Sequence, residues 1–355
     1  MRKYYIDNLR WMSILLLIPY HTFMIYNSFG ESFYIKGADI PLVTGVLVAI
    51  WPWFMPLLFV CAGISSAFAL QKRSVKQYIK ERALKLLVPF FFSILLLIPA
   101  QTFFAERFHN GYTGGYFRQY IIFFTKPTDF TGYNGGFTPG QLWFILYLFV
   151  ISLVALPIMN AYRRANRKLP LQKMRVPTLL VLFIFPLLGS LILDISGKSL
   201  GEYFAYFLLG YFILSDENVL QKIAKYRFWL LILSVFNMIV ILLVWNGTLG
   251  NISDIVYDTL SRFYAWTVIL FLLGCGRHKL NFRNRVTDYF SNSSFAVYMF
   301  HQTWIVTTAY FTFMLVDHVL TQIILIMISS ILATFLTYES CKRMRITRFL
   351  FGIKL

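Results

Sequence analysis

Long apolar segments alternate with short polar ones along almost the whole chain. Ten of these segments have about the length needed to cross a hydrocarbon layer of ~30 Å. They run over Leu9–Phe29, Leu42–Leu70, Leu86–Ala105, Gln141–Tyr162, Val176–Ile195, Leu200–Ser215, Phe228–Trp245, Ile255–Gly276, Ser291–Val316 and Leu320–Tyr338. Each is continuously apolar and lacks the alternation of a barrel strand, so each is predicted to be a helix. The predicted fold class is an all-α, polytopic membrane helix bundle with about 10 transmembrane helices.

Composition supports this prediction and excludes several other classes. The 355 residues are 58% hydrophobic and 14% charged, whereas soluble chains are about 45–50% apolar and about 25% charged. A soluble nucleic-acid binder, a disordered chain and a secreted disulfide scaffold are therefore excluded. The cysteines Cys61, Cys275 and Cys341 are far apart and form no C-x-x-C pair, so no metal site is expected.

The basic residues predict how the chain is oriented in the membrane. Of the 33 lysines and arginines, 27 flank the spans on the side of the N-terminus, 5 lie on the opposite side, and Arg262 lies within a span. Because lysine and arginine accumulate on the cytoplasmic side, both termini are predicted to be cytoplasmic. The net charge of +18 then reflects topology, and no nucleic-acid partner is expected.

Residues 106–140 form the longest segment between predicted spans and are placed on the extracytoplasmic side. The aromatic stretch Tyr116–Phe124 within it is predicted to be a short interfacial helix. No internal repeat or separate soluble region interrupts the rest, so residues 1–355 are predicted to form a single membrane-embedded domain.

Ionisable residues inside a span are costly and point to function. Arg10 opens the first span and His21 follows eleven residues later. On a helix this spacing places both side chains along one face, roughly 16.5 Å apart in depth. The alternatives are that Arg10 extends to the lipid headgroups and that His21 only bonds a neighbouring helix.

Further polar residues mark the other spans. His301 enters the ninth span to a depth similar to that of His21, and Gln302 follows it. Arg262 lies four residues after Asp258, a spacing typical of a helix-surface ion pair. Arg82 and Lys85 open the third span, where ordinary flanking charge is the alternative explanation.

These residue types favour one kind of chemistry. A neutral histidine accepts a proton at physiological pH and serves as a general base toward an alcohol. Arginine and lysine match the geometry of phosphate groups. The sequence therefore predicts a phosphate-binding entrance that leads to a base. Gly63-x-Ser65 lacks the full nucleophile elbow G-x-S-x-G, which disfavours a serine hydrolase.

At these residues the chain resembles the membrane-bound acyltransferase 3 family. The matching elements are Tyr5–Arg10 with His21, Pro56–Gly63, Arg82–Lys85 before Pro89, Leu142–Phe144 and Ser294–His301. Ala62, Lys85 and Phe295 stand where the family usually has serine, arginine and tyrosine.

The resemblance implies transfer of an acyl group, often acetyl, from cytosolic acyl-coenzyme A to a hydroxyl of an extracytoplasmic or lipid-linked carbohydrate. It implies His21 as general base together with Arg10. Arg10, Arg82 and Lys85 are expected to bind the coenzyme A phosphates. His301, Tyr298, Trp143 and Arg262 are candidates to line or orient the substrate. No metal is expected, and the location is the plasma membrane of a bacterium, among its lipids.

A multi-pass transporter or flippase for a polar or anionic metabolite is the alternative function, since the same residues would then line a pathway. Paired broken helices and inverted repeats are typical of that class, and the sequence shows neither. The sequence leaves open the acceptor, the acyl group, direct transfer or an acyl-enzyme, partner proteins and the oligomeric state.

Overall fold

The computed structural model describes residues 3–30, 33–126, 135–165, 169–250 and 252–353, and these residues are almost entirely helical. The α-helices are α1 (Tyr4–Met24), α2 (Pro41–Lys72), α3 (Val75–Arg82), α4 (Val88–Leu96), α5 (Ile98–Asn110), α6 (Tyr116–Thr125), α7 (Trp143–Val154), α8 (Leu156–Arg164), α9 (Val176–Val181), α10 (Ile184–Gly189), α11 (Leu200–Phe212), α12 (Glu217–Lys225), α13 (Arg227–Trp245), α14 (Asp254–Lys279), α15 (Arg285–Leu315), α16 (Val319–Arg343) and α17 (Arg345–Leu350). A π-helical turn, Ala83–Leu87, joins α3 to α4, and a 3₁₀ turn, Gly140–Leu142, precedes α7.

Six helical stretches of the described residues are long and apolar enough to cross a membrane. They are Pro41–Lys72, Val75–Asn110, Gly140–Arg164, Arg227–Trp245, Asp254–Lys279 and Val319–Arg343. The predicted first and ninth spans are also helices, of 21 and 31 residues, but they are more polar because they carry residues such as Arg10, His21 and His301. The all-α membrane class is thus confirmed, whereas ten spans and cytoplasmic termini stay predictions.

The fifth predicted span differs most from the structure. Instead of one helix over Val176–Ile195, the chain forms the six-residue helices α9 and α10. Residues Asp194–Ile195 (β1) and Lys198–Ser199 (β2) then pair as a small antiparallel hairpin. The backbone amide of Gly197 donates to Asp194 Oδ1 at 2.8 Å, which stabilises its turn. An apolar run of span length therefore did not become one membrane-length helix.

The described residues group into two compact units, and α1 and α2 contribute to both. The first unit holds residues 1–10, 48–82 and 147–287. In its core, buried Trp266 donates its indole N–H to the Leu179 carbonyl at 2.7 Å. Tyr264 on the same helix donates its hydroxyl to the Ala49 carbonyl at 2.7 Å. These bonds fasten α14 to α9 and α2.

Helices α2 and α11 approach each other closely at two glycines of the first unit. A Cβ placed on Gly63 would lie 2.0 Å from the carbonyl oxygen of Phe207. Reciprocally, a Cβ on Gly210 would lie 2.3 Å from the carbonyl oxygen of Val60. Small residues permit such backbone contact between membrane helices. Gly63, in the segment that resembles the family, therefore fixes where α2 crosses α11.

The second unit holds residues 11–47, 83–146 and 288–355. Its longest helix, α15, carries a run of buried residues from Ala296 to Gln302. The hydroxyl of Ser93 on α4 bonds the Met299 sulfur at 3.3 Å, and the Phe300 ring packs on Phe351 with centroids 4.9 Å apart. Residues of α4 and of the chain's C-terminal region thus pack on this part of α15.

The predicted long segment 106–140 is partly helical. Helix α5 continues into it as far as Asn110, and the predicted helix at Tyr116–Phe124 is confirmed as α6. Residues 127–134 of this segment, with Asp129, lie outside the described residues. Gln119 of α6 is buried and donates its amide N–H to the Gly135 carbonyl at 2.9 Å, which ties α6 to the chain that leads into α7.

Candidate functional site

Arg10 lies in the first unit and is held by two side chains. Its Nη2 donates to Ser65 Oγ at 2.8 Å, and its Nη1 lies 3.3 Å from Asp7 Oδ1. The Ser65 hydroxyl in turn donates to the Cys61 carbonyl at 2.7 Å, four residues back on α2. The side chain of Arg10 remains 34% exposed. Its guanidinium is therefore fixed in position yet accessible.

Arg82 is held by the very next serine. Its Nη2 donates to Ser66 Oγ at 2.8 Å, and its guanidinium lies 5.0 Å from the centroid of the Tyr78 ring. The hydroxyls of Ser66 and Tyr78 are hydrogen-bonded at 3.0 Å, and Ser66 also donates to the Ala62 carbonyl at 2.8 Å. We call Arg10, Ser65, Ser66 and Arg82 the arginine–serine cluster.

Consecutive serines of α2 thus hold two arginines that come from α1 and α3. Among the described residues, the only carboxylate that pairs with either guanidinium is that of Asp7. Two positive charges against one negative charge leave this group with a positive balance. A cluster of this kind attracts a phosphate, to which a guanidinium donates two parallel hydrogen bonds.

Lys85, the third predicted phosphate ligand, lies in the π-helical turn Ala83–Leu87 and belongs to the second unit. Its side chain is exposed. A π-helical turn is rare and often occurs at functional sites. The structure thus gathers Arg10 and Arg82, while Lys85 is described with the other unit.

His21 lies near the end of α1, in the second unit, among aromatic rings. It stacks on Phe33 with centroids 5.9 Å apart and planes 12° apart, and it meets Tyr20 edge-on at 5.3 Å. The ring of His301 lies 5.3 Å away, tilted by 36°. The two histidines that the sequence placed at similar depth on different spans are therefore neighbours.

His301 is completely buried, with 0% of its surface exposed. Its Nδ1 lies 3.0 Å from the Val297 carbonyl oxygen. A carbonyl only accepts hydrogen bonds, so in the neutral ring Nδ1 carries the proton and Nε2 carries a lone pair. No described residue offers a hydrogen bond to that Nε2.

Tyr298 and Trp143 lie on the same side of the second unit. The Tyr298 hydroxyl donates to the Gln141 carbonyl oxygen, and its ring lies 6.1 Å from that of His301. Trp143 is buried and meets Phe144 edge-on, and Phe144 in turn meets Tyr298 edge-on at 5.6 Å. Tyr298 is thus in direct ring contact with His301, while Trp143 is linked to it through intervening rings.

Buried glutamines surround this part of α15, and sequence reasoning missed two of them. Gln101 Nε2 donates to Thr303 Oγ1 at 2.8 Å, and Gln141 Nε2 donates to the Met299 carbonyl at 3.2 Å. Gln302, which the sequence marked only as a neighbour of His301, is 3% exposed. We call His21, His301, Gln101, Gln141 and Gln302 the histidine–glutamine cluster. Polar amides inside apolar spans were the sequence feature that would have revealed them.

Arg262 is part of a separate ion-pair group in the first unit. Its Nη1 lies 3.0 Å from Asp258 Oδ1, which confirms the predicted pair. Sequence reasoning missed Glu202 of α11, whose Oε2 lies 3.1 Å from Nη2 and 3.2 Å from Nε. Two carboxylates thus meet one guanidinium. Arg262 is engaged by protein partners to a degree that Arg10 and Arg82 are not.

Across the described ranges, no three or more histidine, cysteine, aspartate or glutamate side chains come together in a group suited to a metal ion.

Comparison with known proteins gives one match that covers nearly the whole chain. Residues 3–339 match the family model Acyl_transf_3, described as an acyltransferase domain. No curated protein and no solved structure matches the chain.

Proposed function

Because this chain belongs to the acyltransferase 3 family, we propose that it is a membrane O-acyltransferase that uses acyl-coenzyme A as donor. The group transferred is acetyl, and the acceptor is a hydroxyl of an extracytoplasmic or lipid-linked carbohydrate of the cell surface. The enzyme works in the plasma membrane of a bacterium, with both termini cytoplasmic.

The observation that carries the proposal is the arginine–serine cluster. Coenzyme A bears several phosphates, and a fixed, accessible pair of guanidiniums with a positive charge balance is suited to bind them. Arg10 and Arg82 form this pair, and Lys85 is proposed as a further phosphate ligand from the family resemblance alone. The geometry of Arg10, held by Ser65 at 2.8 Å and left 34% exposed, favours a ligand over a purely structural role.

The chemical step is assigned to His21. The imidazole takes the proton from the acceptor hydroxyl as its oxygen forms a bond to the thioester carbon. The C–S bond then breaks, and the departing sulfur takes that proton from the imidazolium. Arg10 is the second catalytic candidate, because a guanidinium that holds the donor phosphates positions the thioester for reaction at His21.

Arg10 and His21 lie on the same helix α1, eleven positions apart, which corresponds to roughly 16.5 Å of helix rise. The acyl-pantetheine arm of the donor is an extended chain that places its thioester far from its phosphates. An arginine for the phosphates and a histidine for the thioester, separated along one helix, suit a donor of this shape.

The residues around His301 are assigned to orient the substrate. Tyr298 and Trp143 present aromatic rings beside the histidines, and His301 contacts His21 directly. Arg262 is assigned a place near the acceptor through Glu202 and Asp258, whose carboxylates are suited to hold sugar hydroxyls.

The experiment that tests this function is calorimetric titration of the purified protein in detergent with acetyl-coenzyme A. Wild type, Arg10→Ala and His21→Ala are compared. We expect wild-type binding that Arg10→Ala weakens about tenfold or more, because charge-assisted hydrogen bonds to the phosphates are lost. His21→Ala is expected to leave affinity nearly unchanged.

The control is Arg345→Ala, which removes an equal charge from α17, outside the arginine–serine cluster. It is expected to bind acetyl-coenzyme A like wild type. A folded, monodisperse wild type that binds no acyl-coenzyme A would overturn the donor assignment and favour the transporter function instead.

A further inference from the structure

The histidine–glutamine cluster has an uneven balance of hydrogen-bond donors and acceptors. The amide nitrogens of Gln101 and Gln141 both donate to protein oxygens, on Thr303 and Met299. Their amide oxygens are buried, and no described residue donates to either of them. The Gln302 amide oxygen is in the same state. In Gln101 and Gln141 the donors are therefore used within the protein, whereas the amide oxygens are left without a donor.

His301 adds a fourth acceptor of the same kind. The Val297 carbonyl fixes the proton on Nδ1, at 3.0 Å, so Nε2 presents a lone pair. His301 and Gln101 are each 0% exposed, so bulk water does not supply the missing donors. Buried acceptors without donors cost free energy, and native proteins keep few of them.

The acceptors are tied to one short stretch of α15. The Gln101 amide donates to Thr303 and the Gln141 amide donates to Met299, while the backbone carbonyl of Gln141 accepts from the Tyr298 hydroxyl. His301 and Gln302 lie between those positions of α15. Gly140, with φ +50°, precedes Gln141, and a Cβ there would lie 2.9 Å from the Tyr34 hydroxyl and 3.8 Å from Gln101 Oε1. Glycine thus leaves space between Gln101 and Tyr34.

The charge of the cluster limits what it binds. Gln101, Gln141 and Gln302 are neutral amides, and no described carboxylate pairs with them or with His301. A divalent cation would lack the negative ligands it normally has. A neutral group that carries several N–H or O–H bonds meets the acceptors without adding charge to a buried site.

We propose that Gln101, Gln141 and His301 form a subsite that accepts hydrogen bonds from a neutral, N–H- or O–H-bearing part of a substrate. The choice of substrate rests on the proposed function, which offers two sources of this chemistry. One is the pantetheine arm of the donor, with its amide N–H groups and hydroxyl. The other is the hydroxyls of the carbohydrate acceptor. The three residues are positioning residues that orient the substrate beside His21.

Two variants remove acceptors with little change in shape. Gln101→Met replaces the amide with an apolar chain of similar length. His301→Asn keeps a donor near Nδ1 for the Val297 carbonyl and removes the acceptor at Nε2.

Gln322→Met is the matched control, since Gln322 is also buried in the second unit but has both ends of its amide bonded. Its oxygen accepts from the Tyr26 hydroxyl at 3.2 Å, and its nitrogen donates to the Val316 carbonyl at 2.7 Å.

Each protein is titrated in detergent with three probes: acetyl-coenzyme A, S-acetylpantetheine, and the methyl glycoside of N-acetylglucosamine. Melting temperatures are recorded alongside. We expect Gln101→Met and His301→Asn to lose about tenfold in affinity for one class of probe, the effect of one buried hydrogen bond. Loss for both thioesters identifies the pantetheine arm as the source, and loss for the glycoside identifies the acceptor.

The melting temperatures give a second, independent readout. Gln322→Met is expected to lower the melting temperature and keep wild-type affinities, because the Tyr26 hydroxyl and the Val316 carbonyl lose their hydrogen-bond partner. Gln101→Met is expected to lower affinity and to change the melting temperature less than Gln322→Met does, because it removes one hydrogen bond, to Thr303, together with an oxygen that no described residue satisfies.

Two results overturn the subsite. One is unchanged affinity of Gln101→Met and His301→Asn for every probe that wild type binds, and the other is a wild type that binds none of the three. If wild type binds acetyl-coenzyme A and both variants bind it with the same affinity, the proposed function stands and the subsite does not. If wild type binds the glycoside alone and the variants weaken it, the subsite stands and the donor assignment fails.

Discussion

The arginine–serine cluster and the histidine–glutamine cluster are both polar groups on apolar helices, yet they are built in opposite ways. The first presents charged donors, fixed by serine oxygens and partly exposed. The second presents acceptors on Gln101, Gln141, Gln302 and His301, all of which are buried. The first is suited to an anion and the second to neutral N–H and O–H groups. The two clusters therefore suit chemically different parts of the proposed substrates.

The largest effect is expected where the chemistry takes place, at His21. His21→Ala is predicted to lower the turnover of acetyl-coenzyme A by about 10²–10⁴, the usual contribution of a general base. The measurement is release of the free coenzyme A thiol in the presence of acceptor.

The matched control for His21 is His318→Ala. The His318 ring bonds Thr321 Oγ1 at 3.1 Å and is exposed. Equal turnover in wild type and His21→Ala would show that His21 is not the general base. Lower turnover in His318→Ala would show that removing any histidine has this effect.

The next effect concerns the close backbone contact between α2 and α11, which lies in the unit that holds the arginine–serine cluster and not in the one that holds the histidine–glutamine cluster. Gly63→Ala is predicted to destabilise the protein by about 1–3 kcal/mol, a typical cost of overpacking, because its Cβ would lie 2.0 Å from the Phe207 carbonyl oxygen. Since Ser65 and Ser66 follow on α2, affinity for acetyl-coenzyme A should fall as well. Thermal unfolding and calorimetry measure the two effects.

Gly115→Ala is the control for Gly63→Ala. A Cβ at Gly115 meets nothing within 4 Å, so stability and affinity should both stay near wild type. A Gly63→Ala protein as stable as wild type would show that α2 and α11 separate at no cost.

A smaller effect is expected from the serines that position the arginines. Ser65→Ala removes the partner of Arg10, and Ser66→Ala removes that of Arg82. Each is predicted to weaken acetyl-coenzyme A binding by about 0.5–1.5 kcal/mol, the net value of one hydrogen bond. Titration with S-acetylpantetheine, which lacks the coenzyme A phosphates, should show no change.

Ser329→Ala serves as control, because its hydroxyl only donates within α16, to Leu325 at 2.6 Å and to Ile326 at 3.3 Å. If the Ser65 and Ser66 variants weaken S-acetylpantetheine as much as acetyl-coenzyme A, the arginine–serine cluster does not act on phosphate.

The smallest effect concerns basic residues whose charge is already balanced. Glu217 lies 2.8 Å from Lys3 and also pairs with Arg277. Burial alone raises the pKa of this carboxyl, but hydrogen bonds and charges from Lys3 and Arg277 outweigh it and lower the pKa below its ordinary value. A lowered folded-state pKa stabilises the protein above the unfolded pKa, and this is lost as pH falls through the folded pKa.

Glu217→Gln is therefore predicted to cost about 0.2–1 kcal/mol at pH 7, as a pair with a 47% exposed carboxylate should. The difference from wild type should shrink in acid. Melting temperatures at several pH values check this, and a difference that grows in acid would contradict the assigned sign. Coenzyme A affinity should not change, because Lys3 and Arg277 belong to neither cluster.

Much of the fold followed from hydropathy. Continuous apolar runs near 20 residues leave the helix as the main solution in lipid, so the helical class and the positions of α1, α2, α13 and α16 were predictable. The split of α9 from α10 was not, because residues Leu182 and Phe183 between them are as apolar as their neighbours. Hydropathy measures how apolar a segment is and carries no information on whether its helix is continuous.

The site was predictable where charge stands out and hidden where it does not. Arg10, His21, Arg82 and His301 are conspicuous in apolar spans, and their spacing placed the histidines at a common depth. Ser65 and Ser66 gave no such indication, since helical serines usually just bond their own backbone. Whether a hydroxyl also holds an arginine from another helix depends on tertiary packing that no local pattern records.

The way Ser65 is held also bears on whether an acyl group ever resides on the enzyme. Its hydroxyl proton is committed to the Cys61 carbonyl, and its oxygen receives the Arg10 guanidinium. Ser66 is bound in the same manner by Ala62 and Arg82. A hydroxyl activated for attack transfers its proton to a base. The Ser65 and Ser66 hydroxyls instead donate hydrogen bonds to backbone carbonyls, which are not bases, and each accepts a hydrogen bond from a positively charged guanidinium. Neither serine is set up to carry a covalent acyl intermediate, so a two-step reaction would need its nucleophile elsewhere in the chain.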